Sequence, residues 1–311
     1  MYEDRVKNIN QNSMSWLIIG LIVINAFWGA SGVAVKEAYG QLSTIEIVTL
    51  RFALATPLLI IATLALKGRS ALVIDIKDLP LMVLLATVGI SATIYTQAWS
   101  LDLTTVTNFT LISSLSTFGV MLLSMSMSGE RPTKDKVLGA VVALLGLAII
   151  MTNGKLGFSP HIMGDGIALA SAFFWALYTV LGKKIAEKYS ALTVLSYVFL
   201  IASLEFLPFY LASPHTSPLA FTGLTWISIC FLTVFCSTIA FLVYNHSLEK
   251  LSATTVALSL YVTPLSGVLL AAVVLGESLT EFTLLGGLLI VYGLYLAEGR
   301  GLISSRSRLN D

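Results

Sequence analysis

Long apolar stretches separated by short polar segments make up almost the whole chain. A helix needs about 20 apolar residues to cross the roughly 30 Å hydrocarbon core of a bilayer. Ten stretches reach or approach that length, which predicts ten transmembrane helices. Their approximate limits are 16–35, 44–66, 79–99, 103–127, 135–152, 164–182, 190–212, 221–246, 251–275 and 282–298. The weakest divisions fall at Asp102 and at Glu249 with Lys250, where tight turns are predicted to join two spans.

The composition agrees with a chain that is surrounded mainly by lipid. Of the 311 residues, 56% are hydrophobic and 11% are charged, whereas a soluble domain carries about 25% charged residues. The first apolar stretch begins near Trp16 and has no small-residue cleavage site ahead of a soluble domain, so we expect it to be a retained membrane span. Cys230 and Cys236 share one stretch on largely different helix faces, which argues against a disulfide between them.

Basic residues are concentrated in every second loop. Fifteen of the 18 Lys and Arg residues lie in the amino-terminal segment, in the second, fourth, sixth and eighth loops and in the carboxyl-terminal tail. The opposite loops hold only Lys36 and Lys155, and Arg51 lies inside a span. Because basic loops stay on the cytoplasmic side, the count predicts cytoplasmic tails at residues 1–15 and 299–311 of a multi-pass membrane protein.

The second half of the chain repeats the first half at an offset of 147 residues. At that offset Ser100, Leu101 and Asp102 align with Ser247, Leu248 and Glu249; Gly129, Glu130 and Thr133 align with Gly276, Glu277 and Thr280; and Phe27, Trp28 and Lys36 align with Phe174, Trp175 and Lys183. Five spans in each half give the halves opposite orientations, so the fold predicted is an all-α inverted 5+5 repeat of residues 16–152 and 164–298. Carriers that work by alternating access are built in this way, with the substrate site near the midplane between the halves.

Several residues of the repeat also form a family pattern. They are Trp28, Gly29 and Lys36 in span one, Arg51 and Phe52 in span two, and Pro264, Gly276, Glu277, Ser278, Leu279, Thr280, Gly286 and Gly293 in the second half. With them the chain resembles the EamA-type ten-span exporters of the drug/metabolite transporter superfamily, from Trp16 to Ala297. Thr117 departs from the pattern, since a proline is often found there in span four. The resemblance implies a secondary exporter of amino acids or related metabolites in the plasma membrane of a prokaryote, working without a cofactor or ATP.

Other classes of function lack their usual sequence features. His161 and His215 lie in predicted loops and His246 at a helix end, with no cluster of acids or of a nucleophile and a base, so we do not expect an enzyme. Rings of like charge, which favour a channel, and a Walker-type ATP loop are also missing. A lipid-handling or scaffold membrane protein is the alternative. The expected partners are a small-molecule substrate (an amino acid or metabolite) and membrane lipid, but not nucleic acid.

Polar and aromatic side chains inside the spans are the candidate functional residues, because polar groups are costly in hydrocarbon. Arg51 is interpreted either as the group that attracts a substrate carboxylate or as one that snorkels or pairs with Glu46 or Glu205. Aromatic rings can stack on a substrate or belong to the interfacial belt, and asparagines can bind substrate or join helices. The predicted substrate-binding residues are Asn25, Trp28, Arg51, Tyr95, Asn108, Trp175, Tyr178 and Tyr261.

Three further features have a predicted role in coupling, bending or packing. Glu205 is interpreted as the only acid well inside an apolar stretch, and therefore as a candidate proton carrier. Pro264 is expected to kink span nine, either to gate the cavity or only to bend the helix. Small-residue faces in spans five and ten predict close helix packing, as a scaffold or as a dimer contact, in a monomer or weak homodimer. They contain Gly139, Ala143 and Gly146, and Gly286 and Gly293.

Overall fold

The computed structural model is helical wherever it describes the chain. It describes residues 11–128, 134–152, 161–251 and 253–307, and these ranges contain helices and short helical turns but no strand. The helices are numbered α1 to α10 in chain order. They are α1, Gln11–Ala38; α2, Thr44–Lys67; α3, Ile76–Leu103; α4, Val106–Ser113 with Ser116–Ser128; α5, Lys134–Thr152; α6, Ile162–Ala186; α7, Ala191–Ala212; α8, Gly223–Lys250; α9, Ala253–Leu258 with Val262–Val274; and α10, Glu281–Ser307.

The helices confirm the predicted class of fold. In the described ranges, α1 to α4 and α6 to α8 are the seven helices long and apolar enough to cross a membrane. The apolar parts of the other three are shorter: Val137–Ile150, Val262–Val274 and Glu281–Gly293. The number of ten spans therefore stays a prediction. Two ends differ from the predicted limits by five residues or more, since α1 begins five residues earlier and α10 continues to Ser307. The predicted breaks at 129–132 and 153–154 lie outside the described residues.

Local hydrogen bonds begin helices at equivalent places in the two halves. Ser43 caps α2 in a capping box with Glu46, whose carboxylate accepts the backbone N–H of Ser43 at 2.8 Å. At the offset of 147, Ser190 caps α7 by accepting the backbone N–H of Thr193. A serine before the first turn satisfies a backbone donor that the helix itself leaves free. The repeat seen in the sequence is therefore also a repeat in local structure.

Equivalent helices are distorted at equivalent points. A π-helical segment interrupts α3 at Leu85–Ser91 and α8 at Phe231–Ile239. Likewise α4 breaks at residues 114–115 and α9 forms a 3-10 turn at Ser259–Tyr261. Pro264 lies just after the turn in α9, as expected for a residue that lacks a backbone N–H donor. Its counterpart in α4 is Thr117, so both halves bend although only one carries the proline.

Hydroxyl groups account for the bend in α4 without a proline. The Ser114 hydroxyl donates to the Leu111 carbonyl at 2.6 Å, and the Leu115 N–H donates to the Ile112 carbonyl at 3.0 Å. These bonds replace part of the regular helical ladder. In a membrane, irregular backbone is tolerated where protein groups satisfy it. The serine-rich sequence thus interrupts the regular helix in α4, as the proline does in α9.

Equivalent helices run antiparallel where they touch. In the contact between α2 and α7, Thr56 shares a hydrogen bond of 2.9 Å with Ser203, its own equivalent at the offset of 147. Further along α2, Thr63 shares a hydrogen bond of 2.9 Å with Ser196, which is earlier in α7. Residue numbers in the contact rise along α2 while they fall along α7, so the two helices are antiparallel. This pair has the opposite polarity that the inverted repeat requires.

The predicted small-residue faces pack against each other inside one chain. A Cβ atom placed on Gly146 of α5 would lie 2.5 Å from the carbonyl oxygen of Gly286 in α10. A Cβ atom on Gly293 would lie 2.5 Å from the carbonyl oxygen of Gly139. Such distances require glycine on both helices, as in close packing of membrane helices. The contact therefore has the scaffold role, and the oligomeric state stays a prediction.

The two halves are interleaved rather than side by side. Helix α1 of the first half packs on α8 and α9, and its equivalent α6 packs on α3 and α4. Further contacts between the halves join α2 with α7 and α8, α3 with α7, α4 with α9, and α5 with α10. Any space near the centre of the bundle is therefore enclosed by both halves.

Replacing Gly146 by alanine is expected to destabilise the protein, because the new methyl group would meet backbone atoms of α10. Overpacking of this kind costs about 1–3 kcal/mol. The melting temperature of the purified protein in detergent should fall. Gly166→Ala in α6 is the matched control, since its Cβ would meet no atom within 4 Å. A Gly146→Ala protein at least as stable as Gly166→Ala would contradict the close contact.

Candidate functional site

A cavity lies between the two halves, near the centre of the bundle. About 70 Å³ is available there to the centres of water-sized groups, and one water needs about 10–15 Å³ by that measure. The cavity can therefore hold several water-sized groups or a small solute. Its lining residues are Trp28, Ser31, Arg51, Ile94, Gln97, Phe109, Ser113, Ser114, Ser116, Ser171, Ala172, Trp175, Phe241, Leu260 and Thr263. They come from α1 to α4 and from α6, α8 and α9.

The lining combines aromatic rings, hydroxyl groups and one cation. Four of the lining side chains are aromatic, six carry a hydroxyl group and Gln97 adds an amide. Arg51 is the one ionisable side chain among these fifteen residues. A mostly apolar pocket with a few placed polar groups is typical of small-molecule sites.

Arg51 is buried, with 5% of its surface exposed. Its Nε donates to the Ser237 hydroxyl at 3.1 Å, and no carboxylate of the described residues lies within 4 Å of it. Glu46 instead accepts backbone N–H groups of Ser43 and Thr216, at 2.8 and 2.6 Å. Neither predicted ion pair of Arg51, with Glu46 or with Glu205, is therefore formed.

Trp28 and Trp175 meet at the cavity, one from each half. Their rings make an edge-to-face contact with centroids 5.1 Å apart. They are equivalent residues at the offset of 147, so the repeat brings them together. The Trp28 Nε1 donates to the Cys236 carbonyl at 2.9 Å, in the π-helical segment of α8. Trp28 is thus fixed by a hydrogen bond across the halves.

The indole N–H of Trp175 is buried without a hydrogen-bond acceptor. It is directed at the Tyr244 hydroxyl without forming a hydrogen bond of regular geometry, and that hydroxyl shares a hydrogen bond with Thr179 at 2.8 Å. The Ser113 hydroxyl of α4 is likewise buried without a partner. Buried polar groups almost always form hydrogen bonds, so a buried group without one is a candidate for binding a ligand. Both groups line the same cavity.

Two of the predicted binding residues join helices instead of lining the cavity. The Asn25 amide donates to the Leu21 carbonyl and the Ser259 hydroxyl, at 2.6 and 2.8 Å, and accepts from Thr263 at 3.1 Å. Tyr178 exchanges hydrogen bonds with Asn245 of α8 at 2.9 and 2.7 Å. All their polar atoms are occupied by protein groups, which fits the predicted alternative of interhelical bonding.

The remaining predicted residues also lie apart from the lining. Tyr95 stacks on Phe206 of α7, with centroids 5.9 Å apart. Asn108 is directed to Asp165, and its Nδ2 lies 3.3 Å from both carboxylate oxygens. The side chain of Tyr261 is outside the described residues. The structure therefore brings Trp28, Arg51 and Trp175 together at the cavity.

Glu205 contacts the π-helical segment of α3 rather than the cavity. Its two carboxylate oxygens accept hydrogen bonds from Thr87 and Ser91, each at 2.5 Å. The side chain is half-buried and the Thr87 residue is exposed at the side of the bundle. The contact joins α7 of the second half to α3 of the first.

A second acid is buried more deeply, and the sequence reading missed it. Asp165, near the start of α6, is 0% exposed and accepts a hydrogen bond from Thr104 at 2.5 Å in addition to those of Asn108. Asp165 is in the first turn of α6, so Glu205 stays the acid predicted to lie well inside an apolar stretch. Asp165 stands at the border of the predicted span 164–182, where an acid is expected to face water.

The hydroxyl groups of the cavity were also missed. The run Ser113, Ser114 and Ser116 interrupts an apolar stretch, and Ser171 and Thr263 face it from α6 and α9. Serine in a membrane helix usually binds its own backbone, so no single serine is distinctive. Three serines within four residues are unusual, and this cluster is the sequence signal that could have indicated the cavity lining.

Known proteins match over nearly the whole chain. A model of the EamA-like transporter family matches residues 15–152 and again 162–298. A protein of Archaeoglobus fulgidus named "Uncharacterized transporter" is 30% identical over 93% of this chain and 99% of its own length. The "Probable terminal-alkyne amino-acid exporter" of Streptantibioticus cattleyicolor is 29% identical over 73% of this chain and 75% of its own length. A crystal structure with a TM-score of 0.69 and 22% identity covers 96% of this chain and 99% of that one, which supports the fold.

Replacing Trp28 by phenylalanine is expected to destabilise the protein by about 1 kcal/mol, since the Cys236 carbonyl loses its indole donor. Trp175→Phe is the matched control, because it removes an N–H that has no acceptor from the same aromatic cluster. Melting temperatures in detergent should fall further for Trp28→Phe than for Trp175→Phe. Equal losses would mean that ring volume, rather than the hydrogen bond, decides stability here.

Proposed function

The chain belongs to the EamA-like transporter family, and we propose that it is a secondary exporter of amino acids or related small metabolites that works by alternating access. The resemblance seen in the sequence is thereby confirmed at the level of the family, and the chain is a multi-pass membrane transporter. We place it in the plasma membrane of a prokaryote with both termini in the cytoplasm. Support for that orientation is the concentration of 15 of the 18 basic residues in alternate loops.

The cavity between the halves is the observation that carries the proposal. It contains a buried guanidinium that pairs with no carboxylate in the described part of the chain, two donors without a hydrogen bond there, and aromatic walls. A carboxylate suits the guanidinium and donors, and the rings suit an apolar side chain. The named substrate of the Streptantibioticus relative is an amino acid, and amino acids carry both groups.

Hydrogen bonds across the halves support alternating access. The carboxylate of Glu277, from the turn between α9 and α10, accepts the backbone N–H groups of Val106 and Thr107 at 2.8 and 3.0 Å. Nearby in sequence, Thr104 binds Asp165 of the second half. These bonds tie the start of α4 to the second half, on the side where α3 joins α4. We propose that they close the cavity on this side and break when the halves tilt.

Reducing the size of the cavity is expected to abolish transport without unfolding the protein. Ala172 lines the cavity and Ala170 is exposed on the same helix. In proteoliposomes loaded with unlabelled solute, the wild-type protein should accumulate labelled amino acids or metabolites by saturable counterflow. Ala172→Leu should lower the rate at least about tenfold, since three added heavy atoms fill the space that the substrate needs. Ala170→Leu should leave the rate unchanged.

The same experiment separates a carrier from the alternative. A lipid-handling or scaffold protein would show no saturable counterflow with any solute of a broad panel. Equal rates for Ala172→Leu and Ala170→Leu would place the transport path elsewhere in the bundle.

We propose that Glu205 couples a proton to the change between the two states. Protonation would remove charge from the contact that holds Thr87 and Ser91 of α3, and so would weaken a bond between the halves. Glu205→Gln preserves the side-chain shape but does not titrate. A pH gradient should no longer drive uptake in this variant, whereas exchange at equal pH should continue at a similar rate. Asp165→Asn is the comparison at the other buried acid.

Gradient-driven uptake that persists in Glu205→Gln would remove Glu205 from this role. Its loss in Asp165→Asn alone would assign the proton to Asp165 instead.

A further inference from the structure

The wall of the cavity has a charge that no acidic group of the described residues pairs with. Arg51 is buried and its guanidinium binds a neutral hydroxyl, Ser237. None of the fifteen lining residues is acidic. The acids of neighbouring helices are held by other groups, the half-buried Glu205 by two hydroxyls and the buried Asp165 by Thr104 and Asn108. A buried unpaired cation is costly, and a bound anion would relieve that cost.

The free hydrogen-bonding groups in the wall include two groups suited to an anion. The indole N–H of Trp175 can only donate, and the hydroxyl of Ser113 can donate as well as accept. The two terminal nitrogens of Arg51 make no hydrogen bond within the described part of the chain, so they add further donors. A carboxylate has about four lone-pair sites and no proton to donate. It therefore matches both the charge and the donors of this wall.

An ammonium group finds no comparable partner there. Hydroxyl oxygens and the Gln97 amide can accept its protons, but they carry no charge to balance it. The tryptophan rings are a further option for a cation, yet Trp28 already packs against Trp175, Phe241 and Tyr244, with centroids 5.1 to 5.5 Å apart. A zwitterion would thus bring a second positive charge close to Arg51 without a counter-charge.

We infer that the cavity prefers a small organic monocarboxylate of net charge −1, such as a 2-hydroxy acid with an apolar side chain, over the corresponding zwitterionic amino acid. The carboxylate takes the donors of Arg51, Trp175 and Ser113. The apolar side chain lies against Phe109, Phe241 and neighbouring apolar groups of the wall. This inference rests on the proposed function, because it assumes that the cavity is the transport site.

The wild-type protein tests the inference with solutes that share one carbon skeleton. Proteoliposomes at pH 7.5 are assayed for counterflow with 2-hydroxy-4-methylpentanoate, with leucine and with the uncharged 2-hydroxy-4-methylpentanamide. Protein-free liposomes correct for passive entry. The hydroxy acid should exchange at least about tenfold faster than leucine at subsaturating concentration, because the ammonium of leucine adds an unbalanced charge. The amide, which lacks the anion, should exchange as slowly as leucine or more slowly.

Substitutions of the hydrogen-bond donors then test which residues cause the preference for the anion. Arg51→Gln should remove the advantage of the hydroxy acid over its amide, and Arg51→Lys should restore part of it. Trp175→Phe should slow exchange of the hydroxy acid severalfold, while Ala170→Leu should have no effect. The comparison is made among variants whose melting temperatures match that of the wild-type protein.

Two results would overturn the inference, and they differ in meaning. Leucine exchange equal to or faster than that of the hydroxy acid would reject the preference for an anion but leave the proposed amino-acid exporter intact. Absence of exchange with every solute of the panel would reject the proposed function itself, and the inference with it.

Discussion

The antiparallel contact between equivalent helices is the constraint on which the rest of the structure depends. Helices α5 and α10 approach until glycine backbones touch, and α2 crosses α7 through paired hydroxyls of Thr56 and Ser203. Lipid tails are as apolar as the side chains, so the hydrophobic effect does not drive helices together in a membrane. Close packing and hydrogen bonds must stabilise the contacts between helices instead. Both kinds of contact occur between equivalent helices of the two halves. The duplication is therefore a physical device that makes one surface complementary to its own inverted copy.

This packing also explains where the irregular backbone lies. The π-helical segments of α3 and α8 and the breaks of α4 and α9 occur in pairs, at equivalent positions of the repeat. Each lies where helices of both halves meet, so protein groups satisfy the polar atoms that a regular helix would satisfy itself. Trp28, whose indole N–H donates to the Cys236 carbonyl, is an example. The same irregular segments bring hydroxyl and carbonyl groups to the centre of a membrane protein.

The candidate site departs from the symmetry that builds it. Trp28 and Trp175 are equivalent residues and meet at the cavity, but Arg51 has Val198 as its equivalent. The scaffold is thus repeated, whereas the charge is present once. A single cation gives the cavity a preferred orientation for an anionic group, which a fully symmetric wall could not provide. Family membership supplies the class of activity, and this asymmetry places one charged side chain among the fifteen lining residues.

The sequence alone determined the class of fold, the approximate limits of the helices, the repeat and its inversion, and the family. The fold class, the helix limits and the repeat follow from the length of apolar stretches and from side-chain matches at one offset, and the family follows from the resemblance of several residues to a known pattern. It also indicated Trp28, Arg51 and Trp175 as binding residues. Only the tertiary structure decided that Asn25, Tyr95, Asn108 and Tyr178 contact other helices, that Arg51 lacks an acidic partner, and that Asp165 is buried. The reason is that a polar residue in a span faces either a cavity or a neighbouring helix, and which of the two it faces depends on how the helices are rotated against one another.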